Sequence, residues 1–561
     1  MLTSKQNQIL KDSNFFVVKA CPGAGKTFAV SYLIKHELDK GNKVLALSFS
    51  NVAKNEIIEA LKSEHEISLN YPHDILTIDS FLNKYVFDKY SYLMRSNGFN
   101  LIGEPATRND IFGRYYKNSL LKINLKYDSE SKKLSFVDNG VTLRDVSINT
   151  LDIDALKKDR LSKLKLGYVT QKDVNDLSLY FIEKYPSISK VIASRFDTLI
   201  IDEAQDTSLL KMKIIDELID KGLSKVVIIG DPDQSIYQWN DAKPELFNHK
   251  YEVWEDSFEL NESRRCSQLI CKLISRFSSH DLISSVQYID RGFVPQLVSY
   301  KDNCELQEVH LSFLEYCSSI EVESEHIAVL YRSASIKSII LGIKEEKPMD
   351  ITNKTSKLIS FLLVAKIYYD EKRLSDAMDF MARFYLTYIG YDKYVNKWSV
   401  RQYEQDNDKF AFRNEMMNYM ILIPDFSDIT LKKWIGLINE NFVANGIDIE
   451  VPIEDFKGKT KKVTTVISRI YDNKSVTDLN VTYSTVHGVK GKTYKAVMLV
   501  LKSRPPKGSY RKLIENGNFK DEEIRIIYVA MSRAADALWL VVPEKSESIW
   551  KEFFLQEKEA V

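Results

Sequence analysis

Phe15-Phe16-Val17-Val18-Lys19-Ala20-Cys21-Pro22-Gly23-Ala24-Gly25-Lys26-Thr27 is the stretch on which the fold of this 561-residue chain turns. An apolar run of strand character leads into a glycine loop, and a helix-competent stretch continues to Leu38. Strand, glycine loop, Gly-Lys-Thr and helix together make a phosphate-binding loop. Gly23 and Gly25 let backbone N–H groups turn inward without Cβ clashes, and a helix opening at Lys26 adds the positive end of its dipole. Lys26 is then placed to reach the β- and γ-phosphates of a nucleotide, and Thr27 to coordinate Mg²⁺. Ala20 stands where the first glycine usually does, so the match is to a relaxed pattern and needs support from elsewhere in the chain.

That support comes from Asp197-Thr198-Leu199-Ile200-Ile201-Asp202-Glu203-Ala204-Gln205-Asp206, an apolar strand ending in adjacent carboxylates. Asp202 can hold Mg²⁺ through water, and Glu203 can polarise an attacking water as general base. An Asp-Glu pair is more often a capped helix start, but a strand in front of it and a phosphate loop upstream favour the catalytic reading. Lys225-Val226-Val227-Ile228-Ile229-Gly230-Asp231 gives another core strand, with Gln234 just past its end. Parallel strands carrying polar groups at their carboxyl ends predict an open α/β sheet with a site along that edge.

Bulk properties narrow the class. The length predicts roughly three or four domains, and 44% hydrophobic with 28% charged residues is ordinary globular composition. Met1–Gln6 lacks the apolar core of a signal peptide, and no apolar run approaches the ~20 residues that span a bilayer. Cys21, Cys266, Cys271, Cys304 and Cys317 are odd in number and lack CxxC spacing, which predicts reduced thiols in a cytoplasmic protein. Seventy-eight basic residues balance seventy-eight acidic ones, whereas a dedicated nucleic-acid binder leans basic. Locally, residues 107–172 carry fourteen Lys and Arg against eight Asp and Glu. Either a solvated helical face or a DNA-facing surface accounts for that surplus.

Further motifs resemble those of the UvrD/Rep-like superfamily 1 helicases, in order and over almost the whole chain. Leu2 to Gln6 resembles the Q motif, Ser48-Phe49-Ser50-Asn51-Val52-Ala53 the motif usually read Thr-Phe-Thr-Asn-x-Ala, and Thr77-Ile78-Asp79-Ser80-Phe81 the one after it. Asp202–Asp206 is similar to the helicase box. Gly230-Asp231-Pro232-Asp233-Gln234-Ser235-Ile236-Tyr237-Gln238-Trp239 is nearly the family's motif III, the most specific of these strings. Leu260–Arg265 resembles motif IV, Thr485–Gly491 motif V, and Tyr528–Ala534 motif VI. The resemblance implies two RecA-like motor domains with parallel sheets. Ala20 to Phe28, with Gln6, Arg264, Arg265 and Arg533, would bind ATP, and Thr27 and Asp202 would hold Mg²⁺. Lys26, Glu203, Gln234, Arg265 and Arg533 would act in hydrolysis, the arginines neutralising phosphoryl charge when the cleft between the domains closes. It also implies Phe49, Asn51, Thr77, Ser80, Tyr237, Trp239 and His487 as DNA contacts. Aromatic platforms suit a single strand because every base has a π-face; core packing of Tyr237 and a satisfied buried His487 stand as alternatives.

Three positions depart from the family pattern. Arg264 occupies the place of an aromatic over the adenine, and Phe28 the place of an arginine, which predicts a base still flanked by one ring and one guanidinium with sides exchanged. Thr493 replaces the motif V glutamate and puts ribose discrimination in doubt. Ser263 replaces the motif IV asparagine.

The motifs predict a first motor domain at 1–90 and 190–258, with a helical insert at 91–189. The second is expected at 259–345 and 476–561, with a helical insert at 346–475. Helical spacing is evident in Lys357–Asp370 and Leu374–Tyr388. The basic run Lys457–Lys462 reads as a solvated loop before a duplex contact. The short stretch after motif VI leaves no room for an appended nuclease, so any nuclease is expected on another polypeptide. The leading expectation is an ATP-driven 3′–5′ translocase or helicase on single-stranded DNA or a single-strand/duplex junction, away from the membrane. The alternative is a regulatory NTPase that activates a partner effector such as a nuclease. Compact chains of this kind also resemble the helicase-like subunit of Gabija-type bacterial antiphage systems, and none of the motifs separates defence from DNA repair.

Overall fold

The computed structural model describes residues 2–97, 113–116, 119–138, 157–162, 164, 169–237, 241–286, 292–332, 334–341, 353–370, 372–391, 395, 397–426, 429–456, 458–470, 481–502, 505, 509–515 and 521–555. The chain divides into two compact units, Met1–Gly342 with Asn480–Val561, and Ile343–Leu479.

In the first unit, six strands form a parallel sheet in the order Asp74–Thr77, Val44–Ser48, Thr198–Asp202, Lys225–Gly230, Phe15–Ala20, Phe258–Leu260. Val44–Ser48, Thr198–Asp202 and Lys225–Gly230 are buried at every position. Both faces of a parallel sheet are covered, which is why these strands read as unbroken apolar runs without alternation. The register sets Ser48 beside both Thr77 and Asp202, and Lys19 beside Gly230. The chain segments that follow these strands therefore leave from one edge of the sheet, where an open α/β fold builds its sites.

A second parallel sheet of five strands runs Gln296–Tyr300, Ala534–Pro543, Tyr494–Val500, Ile327–Tyr331, Thr482–Thr485. Ala328, Leu330, Val497, Leu499 and Leu540 from this sheet share a buried cluster with Phe16, Val18, Ala46 and Val227 from the first. Trp550, fully buried in that cluster, packs its ring against those of Phe277 and Tyr510. Truncating a tryptophan so placed costs about 3–5 kcal/mol.

The segment 91–189, expected as a helical insert, carries strands as well as helices. Gly113–Tyr116, Ser119–Asp128 and Lys133–Asp138 form an antiparallel sheet, followed by the helices Gln171–Lys184 and Pro186–Arg195. The signal is the period-two alternation through Leu125-Lys126-Tyr127: Leu125 and Tyr127 are buried while Lys126 is exposed. Asp128 closes the turn by accepting from Glu130 N at 3.0 Å and Ser131 Oγ at 2.9 Å. Much of the basic stretch 107–172 lies outside the described residues.

The second unit holds the helices Lys354–Asp370, Leu374–Tyr388, Lys397–Asp406, Lys409–Ile421, Leu431–Ala444 and Val463–Ile470. Their apolar faces meet around Trp434, whose Nε1 donates to Pro424 O at 3.0 Å. In the run 457–462, Lys457 lies outside the described residues and Lys459 pairs with Glu454 at 2.8 Å. Among the described residues no helix is long and apolar enough to cross a membrane, and all five cysteines are free thiols.

Candidate functional site

The glycine loop joins the first strand to the helix Lys26–Asp39. Gly23 and Gly25 sit at φ +77° and +72°, a region that side chains other than glycine rarely enter. A Cβ on Gly23 would stand 2.6 Å from both Arg265 Cβ and Ser263 Oγ, so the loop packs directly on the segment carrying those residues. Two backbone bonds fix this approach: Cys21 N donates to Leu260 O at 2.8 Å, and Arg264 N to Gly23 O at 2.9 Å. Ser263 Oγ accepts from Arg265 N at 3.3 Å and Cys266 N at 3.4 Å, which accounts for a short polar residue at that position. Pro22 and Ala24 complete the loop, with Ala24 N bonded to Cys21 O. Gln6 lies buried beneath it. Its Nε2 donates to Ala24 O at 2.8 Å, and its Oε1 accepts from Arg264 Nη2 at 3.0 Å. The Arg264 guanidinium lies 5.7 Å from the Phe28 ring centre, so the two exchanged residues face each other across the loop.

Lys26 Nζ lies 3.0 Å from Glu203 Oε1. Asp202, at the end of its strand, is buried and accepts from Glu203 N. Burial pushes the Asp202 carboxyl up, with Glu203 beside it adding to the effect; Glu203 is also desolvated, but Lys26 and Lys490 outweigh this and hold it down. Glu203 adopts φ +54°, a left-handed conformation costing about 1–3 kcal/mol for such a residue. Gln205 holds it there by donating Nε2 to Glu203 Oε2 at 2.5 Å, and its Oε1 accepts from Asp231 N at 3.1 Å. A Cβ on Gly230 would meet that Oε1 at 2.4 Å, which is why glycine ends the strand.

The second sheet delivers its polar groups to the same edge. Arg533 Nη2 donates to Gln234 Oε1 at 3.0 Å, while Arg265 Nη1 donates to Ser532 O at 3.2 Å. The Arg533 guanidinium is buried and bonds to neutral groups; burial and the nearby Arg265 pull it down to about 9. Lys490 pairs with Asp206 at 2.6 Å, Arg525 Nε donates to Ser235 O at 2.6 Å, and Tyr528 OH donates to Asp231 Oδ2 at 3.3 Å.

These residues fit a magnesium–nucleotide complex. Gly23 and Gly25 bring no side chain to the loop, the first turn of Lys26–Asp39 presents N–H groups without intrahelical acceptors, and Lys26, Arg265 and Arg533 concentrate positive charge beside it. Asp202 is a buried carboxyl suited to a divalent cation, and Thr27 is the second residue of the helix.

Beyond the helicase-box segment, the expected DNA contacts fall into two groups. Phe49 and Tyr237 stack at 5.9 Å and 23°, and His487 lies 6.0 Å from Tyr237. His487 Nε2 donates to Ile236 O at 3.1 Å, and burial pulls its imidazole below the usual range. Lys490 Nζ sits 4.7 Å over Tyr237 and Lys211 Nζ 5.6 Å over Phe49. Asn51, exposed, starts the helix Asn51–His65. Thr77 and Ser80 bond to each other at 2.8 Å where Thr77 caps the helix Ile78–Phe81. Trp239 lies outside the described residues.

The model of the UvrD/REP helicase N-terminal domain matches residues 1–254, and that of the UvrD-like helicase C-terminal domain matches residues 142–545. The chain belongs to the UvrD-like helicase family. Among curated UvrD-like relatives, the ATP-dependent DNA helicase Rep of Buchnera aphidicola (subsp. Acyrthosiphon pisum) is 23% identical, across 96% of this chain and 94% of its own length. The Gabija protein GajB of Bacillus cereus is 25% identical across 61% of each. A probable DNA helicase II homolog of Mycoplasma capricolum is 22% identical across 64% of this chain and 51% of its own. The chain thus spans between half and two thirds of two of these relatives. Within the UvrD-like motifs the sequence reading passed over Lys490, Asp206, Gln205 and Tyr528 as site residues, although each stands inside a quoted motif. Arg525 and His280 lie outside the quoted motifs, and only the fold brings them in.

Proposed function

We propose that this chain is an ATP-driven motor that moves along single-stranded DNA and separates duplexes, with 3′–5′ polarity inherited from its family. The carrying observation is that the glycine loop, the Asp202–Glu203 pair and the arginines Arg265 and Arg533 meet at one sheet edge, in hydrogen-bond contact across the two sheets. Lys26, Arg265 and Arg533 would bind the β- and γ-phosphates, with Gln234 holding Arg533 in place. Phe28 and Arg264 would part to flank the adenine, and Glu203 would take the proton of the attacking water. Mg²⁺, held by Thr27 and by Asp202 through water, would neutralise charge on the phosphate oxygens. The polar bridges Lys490–Asp206, Arg525–Ser235 and Arg533–Gln234 would make and break as the cleft closes on ATP and opens after hydrolysis. Phe49, Tyr237, His487 and Trp239 would then carry the strand past the site by stacking. Cytoplasmic DNA repair is one setting for this activity.

The similarity to a Gabija protein supports a second reading, a DNA- or nucleotide-sensing subunit that switches a partner nuclease in antiphage defence. Steady-state ATP hydrolysis by the wild type and Lys26→Ala, with and without single-stranded DNA, separates the two. Strong stimulation by DNA that disappears in the variant supports the motor. Hydrolysis indifferent to DNA sinks it.

A further inference from the structure

Behind the hydrolytic site lies a buried charge network centred on His280, a residue that no quoted motif contains. His280 is nearly inaccessible, and both of its ring nitrogens face carboxylates: Nδ1 bonds Glu259, and Nε2 lies 3.0 Å from Asp231 Oδ1. A ring with carboxylates at both nitrogens donates twice, so it is an imidazolium whose lone pairs are unavailable to a metal. Burial pulls it down, but Asp231 and Glu259 outweigh that and push it up to about 9. The other charged groups around it are Asp233, 4.0 Å from Nε2, and Lys19, which pairs with Glu259 at 3.8 Å and donates to Ser279 O at 2.5 Å. Asp233 also accepts from Ser279 N at 2.7 Å, so the loop holding His280 is clasped by both aspartates of Asp231-Pro232-Asp233.

Asp231 is the hub. Its Oδ1 accepts from His280 and from Asp233 N at 3.1 Å, and its Oδ2 accepts from Gln234 Nε2 at 2.6 Å and Tyr528 OH at 3.3 Å. A primary amide has one donor end and one acceptor end. With Nε2 committed to Asp231, Oε1 must point the other way, where Arg533 Nη2 meets it at 3.0 Å. Were the Asp231 carboxylate to turn or take up a proton, the amide could flip and set its NH₂ against a guanidinium, donor against donor. A fully buried carboxylate without a counter-charge is driven towards protonation.

We infer that His280 is a positioning residue for hydrolysis: held between Glu259 and Asp231, it fixes the Asp231 carboxylate that orients Gln234, and through Gln234 it presents Arg533. The inference rests on the proposed roles of Gln234 and Arg533 in ATP hydrolysis.

The test is DNA-stimulated ATP hydrolysis by the full chain as wild type, His280→Gln, Gln234→Ala and the double variant, each followed from pH 6 to 10. His280→Gln is expected to lower kcat about tenfold, as for loss of one oriented hydrogen bond to a charged group, with KM for ATP within about twofold. Wild-type kcat should fall on the alkaline side as the imidazolium and Arg533 lose their protons, and the fall should be shallower in His280→Gln, where Arg533 alone titrates. In the Gln234→Ala background, His280→Gln should add less than about twofold, because the two act in one chain. An equal loss in both backgrounds, an alkaline limb as steep in His280→Gln as in the wild type, or an unchanged kcat would overturn the inference while leaving Gln234 in its role. Gln234→Ala with wild-type kcat would instead sink the role of Gln234, and the inference with it. If His280→Gln does not fold, Glu259→Gln keeps the imidazole but removes one carboxylate. Its alkaline limb should move to lower pH, and an unmoved limb would overturn the inference.

Discussion

Arg533 donates to Gln234 across 299 residues of sequence, and the same Gln234 side chain donates to Asp231 three residues before it. One amide therefore ties an arginine at the start of a strand in the second sheet to a loop at the carboxyl end of the first. Gln234→Ala and Arg533→Ala should each lower DNA-stimulated kcat by on the order of 10²-fold or more. Their double variant should be little worse than the poorer single one, because they act as a unit. Multiplying losses in a steady-state assay would show that the contact carries no coupling.

Lys26 and Glu203 form an ion pair beside the glycine loop, at 3.0 Å. Lys26→Ala and Glu203→Gln should both abolish turnover, by about 10²–10³-fold, through different steps. Nucleotide binding measured by equilibrium titration should weaken strongly only in Lys26→Ala, since Glu203 acts on water and not on the phosphates.

Phe28 and Arg264 face each other at 5.7 Å. Losing the ring of Phe28 should raise KM for ATP about 5–20-fold, as a stacking and cation–π contribution of roughly 1–2 kcal/mol implies. An unchanged KM would remove the exchanged sandwich.

Phe49 and Tyr237 stack on each other, with lysines over both rings. Tyr237→Ala should weaken single-stranded DNA binding by about 1–3 kcal/mol in a fluorescence titration and leave DNA-free hydrolysis within about twofold. Weakened DNA-free hydrolysis would mark Tyr237 as core packing.

His310 is buried against Tyr483, with Nε2 2.9 Å from the phenol oxygen, and burial pulls it down to about 4. Its ordinary value is near 6.5, so between about 4 and 6.5 the unfolded chain binds more protons than the folded one. The stability it contributes is present above about 6.5 and lost as pH falls towards about 4. Thermal melts across that window should show wild type losing Tm on acidification more steeply than His310→Gln.

The α/β character, the phosphate loop and the order of the polar segments were all legible in the sequence, because each rests on local pattern. Gly23 and Gly25 mark positive φ, and the unbroken apolar run Thr198–Ile201 marks a strand covered on both faces. Ser263 could be read only as a departure from pattern; the structure accounts for it through Arg265 N and Cys266 N. The antiparallel sheet within 91–189 was present as an alternation at Leu125-Lys126-Tyr127, but it was overshadowed by the segment's basic charge.

What spacing alone could not decide is which distant groups become partners. Nothing in the sequence pairs His280 with Glu259 and Asp231, or Arg525 with Ser235, since neither periodicity nor motif encodes contact between separate strands. Those pairings, and the conformation of Glu203 held by Gln205, follow from strand order and register: parallel packing brings the carboxyl ends of distant strands to one edge, where buried polar groups must find partners or lose their hydration uncompensated. Residue types and their order on the chain were determined by sequence; which of them share a proton, a guanidinium or a carboxylate was decided by the tertiary fold.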